Sequence, residues 1–378
     1  MIRIVHVISD LDTGGAEAML AKLVQGMDRA RFTNTVISLT NRGQLAEQIE
    51  SLGVAVHTLG MRRGWPDLSA LPRLIRLLRT LKPTLVQSWL YHADLLSLLA
   101  VKWLGHPLLL WNLRCSDMDL TKYRPLTRWV QRVLAWWSAA PAVIVVNSEA
   151  GKQAHERLGY HPRRWEAIPN GFDLDQFRPD VKLRAMRRQE WRVPDDAVVI
   201  ALVARVDAMK DHATFLEGAC QITQARHRAH FMLIGKDTEL LAGMVVTMGL
   251  TERVHLLGYR RDVSSLLPGM DIVCLSSAFG EGFPNVLGEA MACGIPCVST
   301  DVGDARSIIA NTGLVVPPRS PSSLANALIE LIDRGPAVRA ELGRSARQRV
   351  ASEYSLQHII VRYEKLYLDL SLQYQLQH

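Results

Sequence analysis

Short apolar runs alternating with amphipathic segments, from one end of the chain to the other, constrain this sequence more than any other feature. Such alternation is how a parallel sheet wrapped by helices reads. Six runs fall in the first half: Arg3–Ser9, Asn34–Thr40, Val54–Leu59, Thr84–Trp89, Leu108–Arg114 and Ala142–Ser148. Six more fall in the second: Val198–Arg205, His230–Gly235, Val254–Gly258, Asp271–Ser277, Pro296–Thr300 and Thr312–Pro318. Two comparable series with a break between them predict two doubly wound, Rossmann-like α/β domains, in keeping with a length of 378 residues that exceeds one ordinary core. The break is "IPNGFDLDQFRPD" (Ile168–Asp180), rich in turn-forming Pro, Asn, Gly and Asp. It sets domain boundaries at 1–169 and 170–358, followed by a C-terminal helix, 359–378; the last helical segment, Leu356–Gln373, has apolar residues at 356, 359, 360, 363, 366 and 367.

Several classes are set aside early. The N-terminal "MIRIVHVISD" lacks the apolar run and small-residue cleavage site of a signal peptide, and reads as a first strand. The most apolar stretch, Leu95–Leu113, is interrupted by Lys102, His106 and Pro107, so a buried helix and strand are expected rather than a transmembrane span. The five cysteines (115, 220, 274, 293 and 297) form no Cys-x-x-Cys pair, and read as small buried apolar residues in a reducing cytoplasm. The formal charge of +7 is uneven: Met1–Asn170 carries 21 basic against 13 acidic residues, and the remainder 23 against 24. An excess confined to the first half fits a negatively charged partner, or simply a soluble surface.

In an open parallel sheet, ligands bind beyond the carboxyl ends of the strands, where strand order reverses. Three motifs lie at such ends. Directly after the first run, "DLDTGGAEAML" (Asp10–Leu20) places Gly14 and Gly15 where backbone can approach a ligand and a helix beginning near Ala16 aims its amides at an anion. A plain turn would also explain the pair, and the Gly-x-Gly-x-x-Gly fingerprint of a nicotinamide dehydrogenase is absent. In "VARVDAMKD" (Val203–Asp211), Arg205 and Lys210 stand at a strand mouth in a segment short of charge to pair with, and together suit a diphosphate.

The third motif, "GEGFPNVLGEAMACG" (Gly280–Gly294), holds Glu281 in a loop and Glu289 inside a helix that should begin near Pro284. Between the two carboxylates lie Phe283, Pro284 and the amides around Asn285 and Val286, where a helix N-terminus attracts phosphate. A ligand hydroxylated at both ends and anionic in the middle fits that order. A nucleotide sugar is such a ligand.

The combination resembles the retaining family 4 glycosyltransferases. The second half carries "ARVDAMKD", "LLGYRRDVSSLLPGMDIVCLSS", "EGFPNVLGEAMACGIPCVSTDVGDARSII" and "GLVVPP"; the first adds "TGGAE", "SWLYHADL" and "IPNGFD". The resemblance covers almost the whole chain. It implies a GT-B fold, two Rossmann-like domains facing a deep interdomain cleft, the first binding acceptor and the second donor. It implies that the final helix crosses back onto the first domain. Glu281 would contact the donor sugar, Glu289 the ribose, and Arg205 and Lys210 the diphosphate. The Gly258–Tyr259–Arg260 loop would lie by the nucleobase. "LIGKDTEL" departs from the family's Gly-x-Gly-Pro: Gly235 is kept, and Lys236, Asp237 and Thr238 replace the rest. His92 in "SWLYHADL" matches a family histidine near the donor sugar, and Asp94 and Arg114 are expected on the acceptor side of the cleft.

The implied activity is transfer of a sugar from a UDP- or GDP-sugar to an acceptor hydroxyl, with retention and with no metal or other cofactor. The acceptor is expected to be a glycan or glycolipid, and nucleic acid is not an expected partner. A nucleotide-sugar epimerase on the same fold, or a non-catalytic binding subunit, would share parts of this constellation; the latter would be expected to have lost one of Arg205, Lys210, Glu281 or Glu289. Finally, "LPRLIRLLRTLKP" (Leu71–Pro83) sets Arg73, Arg76, Arg79 and Lys82 against leucines. "KYRPLTRWVQRVLAWW" (Lys122–Trp137) spaces Trp129, Val133, Trp136 and Trp137 along a helix. Basic helices with tryptophan suit an anionic membrane surface, here the cytoplasmic face in a peripheral association; tryptophans packed on the sheet would produce the same pattern.

Overall fold

The computed structural model describes residues 1–12, 14–62, 67–114, 125–225 and 227–377. The chain divides into two compact units, Met1–Gly171 with Leu356–His378, and Phe172–Ser355. The first break falls within the turn-rich segment.

The first unit is built on a parallel sheet of seven strands: β1 Ile2–Ile8, β2 Phe32–Ser38, β3 Ala55–Thr58, β4 Leu85–Trp89, β5 Leu108–Leu113, β6 Val143–Val146 and β7 Trp165–Ala167. Their order is β3-β2-β1-β4-β5-β6-β7, so the direction of winding reverses between β1 and β4. Register is set by apolar alternation, with Ile4 opposite Leu85 and Ile8 opposite Trp89. Ile4 and Ile8 pack on one face with the helix Gly15–Gly26 and the final helix. Val5 and Val7 pack on the other with helices Ala70–Leu81, Tyr91–Leu104 and Pro125–Trp136. Six of these strands match the expected runs. β7 does not, because three residues centred on Glu166 show no apolar run. The final helix, Leu356–Gln377, buries Ile359, Ile360, Tyr363, Leu366 and Tyr367 in the first unit.

The second unit holds six parallel strands: β8 Val198–Val203, β9 Ala229–Ile234, β10 Val254–Gly258, β11 Ile272–Leu275, β12 Cys297–Thr300 and β13 Leu314–Val316. Their order, β10-β9-β8-β11-β12-β13, reverses between β8 and β11. Alternate β8 residues serve opposite cores, Val199 and Ala201 on one face and Ile200 and Leu202 on the other. Cys274, Cys293 and Cys297 are buried in these cores. Burial pushes the Cys293 thiol up to about 12 and raises the other two further, which removes them from thiolate chemistry. Cys115 lies outside the described residues.

Candidate active site

The reversal between β8 and β11 brings together the two acidic and basic motifs of the second half. The segment leaving β8 carries Arg205 and Lys210; the segment leaving β11 carries Ser276, Ser277 and Glu281. Two hydrogen bonds join the segments: Ala278 N donates to Met209 O at 2.8 Å, and the side-chain Ser276 Oγ to Lys210 O at 2.8 Å. A third segment joins from β12, where Thr300 Oγ1 donates to Ser277 O at 2.6 Å and Asp304 N to Gly282 O at 2.8 Å. The result is a floor of three strand ends with defined geometry at the switch point.

On that floor Lys210 Nζ forms an ion pair with Glu281 Oε1, and Ser277 Oγ donates to the same oxygen at 2.6 Å. Glu281 is only 9% exposed. A buried carboxylate is tolerable because both an ammonium and a hydroxyl meet it. The expectation that Arg205 and Lys210 lack charge partners is corrected here. Arg205 lies within 3.3 Å of Asp207, two residues on, and Lys210 meets a glutamate 71 positions away. Asp207 in turn caps the turn by accepting from Met209 N at 2.9 Å, and that amide, with Arg205 beside it, lowers its pKa.

The helix following Glu281 runs Asn285–Ala292, with Pro284 at the N-cap rather than in the first turn. Its buried face, Leu287, Ala290, Met291 and Ala292, sinks into the core, while Asn285, Val286 and Glu289 stay half-buried. Gly288 lies against the Phe172 ring, where a Cβ would fall 2.8 Å from Cδ2 and closer still to the ring edge. Phe172 stacks on Phe283, whose ring centroid is 6.1 Å away. Aromatic packing therefore fixes both the loop and the helix that flank the Lys210–Glu281 pair.

Two residues that sequence reasoning missed hold this arrangement. Gly303 has φ +57°, and a Cβ there would stand 2.5 Å from Glu281 O and 2.6 Å from Gly282 O. Only a residue without a side chain fits between that turn and the Glu281 loop. Thr238 is fully buried; its Oγ1 donates to Gly235 O at 3.1 Å and accepts from Gly258 N at 3.1 Å. Thr238 thus ties together the β9 and β10 ends where the family's Gly-Pro is missing. Gly235 itself admits the β8 loop, since a Cβ would lie 2.8 Å from Arg205 N. Next to it Tyr259 is exposed, and Arg260 is held in a bidentate pair with Asp262 at 2.7 Å and 2.7 Å, which depresses the Asp262 pKa.

The family models agree with this reading in both halves. Residues 13–176 match the model described as Glycosyltransferase Family 4, and residues 197–334 the model described as Glycosyl transferases group 1. The chain belongs to glycosyltransferase family 4. Among relatives of this family 4 protein, a UDP-Gal:alpha-D-GlcNAc-diphosphoundecaprenol alpha-1,3-galactosyltransferase of Escherichia coli is 23% identical over 315 residues, 80% of each chain. Among solved structures, Anabaena Alr3699/HepE in complex with UDP superposes with a TM-score of 0.84 at 19% identity, covering 97% of this chain and 100% of that one. Its complex with UDP-glucose gives 0.81 at 18% identity, covering 98% and 100%. These likenesses establish the GT-B fold for the family 4 chain.

In the first unit of this glycosyltransferase, the candidate residues stand apart from one another in character. Gly14 is the N-cap of the helix Gly15–Gly26, in an extended conformation, and the buried Glu17 carboxylate folds back against it. His92 sits in the first turn of Tyr91–Leu104; it remains solvent-accessible, and partial desolvation lowers its pKa, so it is neutral at pH 7. The residue before that helix, Leu90, takes φ +73°, a left-handed conformation costly for leucine, directly at the end of β4. Asp94 does not lie on an open face. It is fully buried, accepts from Ser88 Oγ at 2.5 Å, and burial raises its pKa well above the carboxylate range. Arg114 is committed to its own unit: it donates to Asn112 Oδ1 at 2.9 Å, to Asn170 Oδ1 and to Tyr363 Oη, with Trp89 stacked 5.1 Å away. Among the described residues, no group of three or more His, Cys, Asp or Glu is placed to hold a metal ion, and no helix is long and apolar enough to cross a membrane.

Proposed function

We propose that this family 4 glycosyltransferase moves a sugar from a UDP- or GDP-sugar to a hydroxyl of a lipid-linked or glycolipid acceptor in polysaccharide or glycoconjugate assembly. In this reading transfer proceeds with retention, needs no metal ion, and takes place at the cytoplasmic face of the membrane. The observation that carries it is the Lys210–Glu281 pair at the switch point of the second sheet, beside the first turn of helix Asn285–Ala292.

The hard step is departure of a diphosphate, whose developing charge must be met by preorganised positive groups. Lys210, Arg205 and the amides of Asn285 and Val286 would supply them. Glu281 would accept hydrogen bonds from hydroxyls of the transferred sugar, and its pairing with Lys210 keeps both groups positioned before donor arrives. Glu289, one turn into the helix, would accept from the ribose, with Gly235, Phe283, Pro284, Tyr259 and Arg260 flanking the nucleotide. The leaving phosphate would take the acceptor's proton on the same face of the sugar. For His92 the support is the family resemblance alone. The Escherichia coli relative is named for a UDP-galactose donor and a diphosphoundecaprenol acceptor, and the Anabaena structures hold UDP and UDP-glucose, which favours a uridine nucleotide and a polyprenyl-type acceptor here.

The test is incubation with UDP- and GDP-sugars and a polyprenyl-diphosphate-linked acceptor, with the product's anomeric configuration read by nuclear magnetic resonance. Retention, undiminished by a chelator, is expected. Inversion, loss of turnover with chelator, or conversion of the donor sugar without acceptor would each overturn its part of the reading.

A further inference from the structure

We propose that the outward face of the helices Ala70–Leu81, Tyr91–Leu104 and Pro125–Trp136 is the surface on which this protein docks to an anionic lipid bilayer. This deepens the membrane part of the proposed function and uses no residue of the donor site.

The three helices lie side by side on one face of the first sheet, the middle one packed against both others. Their inward residues, Leu74, Leu78, Leu98, Val130 and Leu134, are buried in a single core with Val5, Val7 and Trp111. That leaves the opposite face outward, and its composition is unusual. Trp103, Trp129 and Trp136 are 59%, 57% and 84% exposed. The alternative, tryptophans packed on the sheet, does not hold for Trp129 and Trp136. Large apolar rings left in water on two adjacent helices, Tyr91–Leu104 and Pro125–Trp136, mark a surface that is covered in use.

Charge identifies what covers it. Arg76, Arg79, Lys102 and Arg132 are exposed on the same three helices and, among the described residues, make no ion pair. Arg73 is satisfied by Asp67, and the only acidic residue within the three helices is the buried Asp94. The cations are interleaved with the rings: the Arg79 guanidinium lies 4.2 Å from the Trp103 ring centroid, and Lys102 Nζ lies 3.1 Å from that of Trp137. No exposed acid on the three helices answers these cations from within the chain. A face of unpaired cations and half-sunk indoles matches the headgroup layer of an anionic bilayer, where tryptophan sits at the boundary and basic groups meet phosphate. Lys122, part of the same basic sequence, lies outside the described residues.

Co-sedimentation with phosphatidylcholine vesicles, with and without phosphatidylglycerol, tests this without any sugar donor. Binding should require the anionic lipid and fall with added salt. Removing each basic group should weaken partition on the order of fivefold, so reversing Arg76, Arg79 and Lys102 to Glu should cost about 100-fold or more. Reversing Arg228 and Arg344 in the second unit should cost little. Trp103, Trp129 and Trp136 changed together to Ser should weaken binding while leaving the circular dichroism spectrum and melting temperature intact. Equal binding to neutral vesicles, or indifference to the charge reversals, would overturn the proposal. So would self-association in the absence of lipid that Trp136→Ser abolishes, since a second copy would then be the occupant. Loss of vesicle binding with transfer to a soluble acceptor analogue unchanged separates this face from the transferase reading.

Discussion

Replacing Lys210 by Met leaves the Glu281 carboxylate, 8% exposed in its side chain, with Ser277 Oγ but without its cation. Breaking a buried ion pair by removing one partner costs about 3–5 kcal/mol. The retained hydroxyl and the 17% exposure of the Lys210 side chain place the expected loss at the lower end, about 3 kcal/mol. For a unit of this size each kcal/mol lowers the melting temperature by roughly 2–4 °C, so calorimetry should show the second unit's transition lowered by about 6–12 °C. Adding Glu281→Gln removes the stranded charge and leaves an amide that Ser277 can still meet. The double variant should regain most of the stability, to within about 1 kcal/mol of the parent, as a coupled pair must. Turnover should not return: both variants should stay on the order of 10²-fold below the parent, because a transition-state donor is gone. A single variant as stable as the parent would refute the pairing energetics. A double variant that regains activity would refute the assignment of Lys210 to the leaving group.

Other expectations follow from neighbouring residues. Gly303→Ala drives a Cβ into the Glu281 and Gly282 carbonyls at φ +57°, and should cost about 1–3 kcal/mol in chemical denaturation and weaken nucleotide binding with it. Asp94→Asn should leave kcat/KM within about twofold, since the side chain is fully buried and committed to Ser88 Oγ; a loss of 10-fold would restore Asp94 to the site. His6 is buried, accepts from Trp89 Nε1 at 3.4 Å and meets Asn34 Oδ1 at 3.1 Å, and burial lowers its pKa from 6.5 to about 4. Its neutral form is the one that folds, so its contribution is complete above pH 6.5 and declines as pH falls toward 4. That decline amounts to at most about 1.4 kcal/mol per pH unit, and His6→Gln should flatten this part of the stability profile measured by denaturant titration.

What was legible in the sequence was whatever local pattern encodes. The apolar runs located twelve of the thirteen strands, and the turn-rich segment contained the first crossing between units. β7 was missed because an edge strand of three residues leaves no alternation to read. Arg205–Asp207 and Arg260–Asp262 were readable two residues apart and were passed over in favour of ligand roles. Lys210–Glu281 was not readable, since only the order of β8 and β11 in the sheet makes them neighbours. Gly303 and Thr238 were invisible for the same reason: each is defined by a segment remote in sequence that it touches. The burial of Asp94 reversed an expectation because a helical position next to an exposed histidine can still face the sheet.

The central claim, that the second unit cradles a nucleoside diphosphate sugar across Lys210, the start of helix Asn285–Ala292 and Glu289, is tested most directly by thermal unfolding with UDP-, GDP- and ADP-sugars. One of the first two at 100 times its dissociation constant should stabilise the protein by about 2.7 kcal/mol, a rise of roughly 5–10 °C for a unit of this size. Glu289→Ala should shrink that rise at the same ligand concentration. A shift from none of the three donors, or a shift that Glu289→Ala leaves whole, would contradict it.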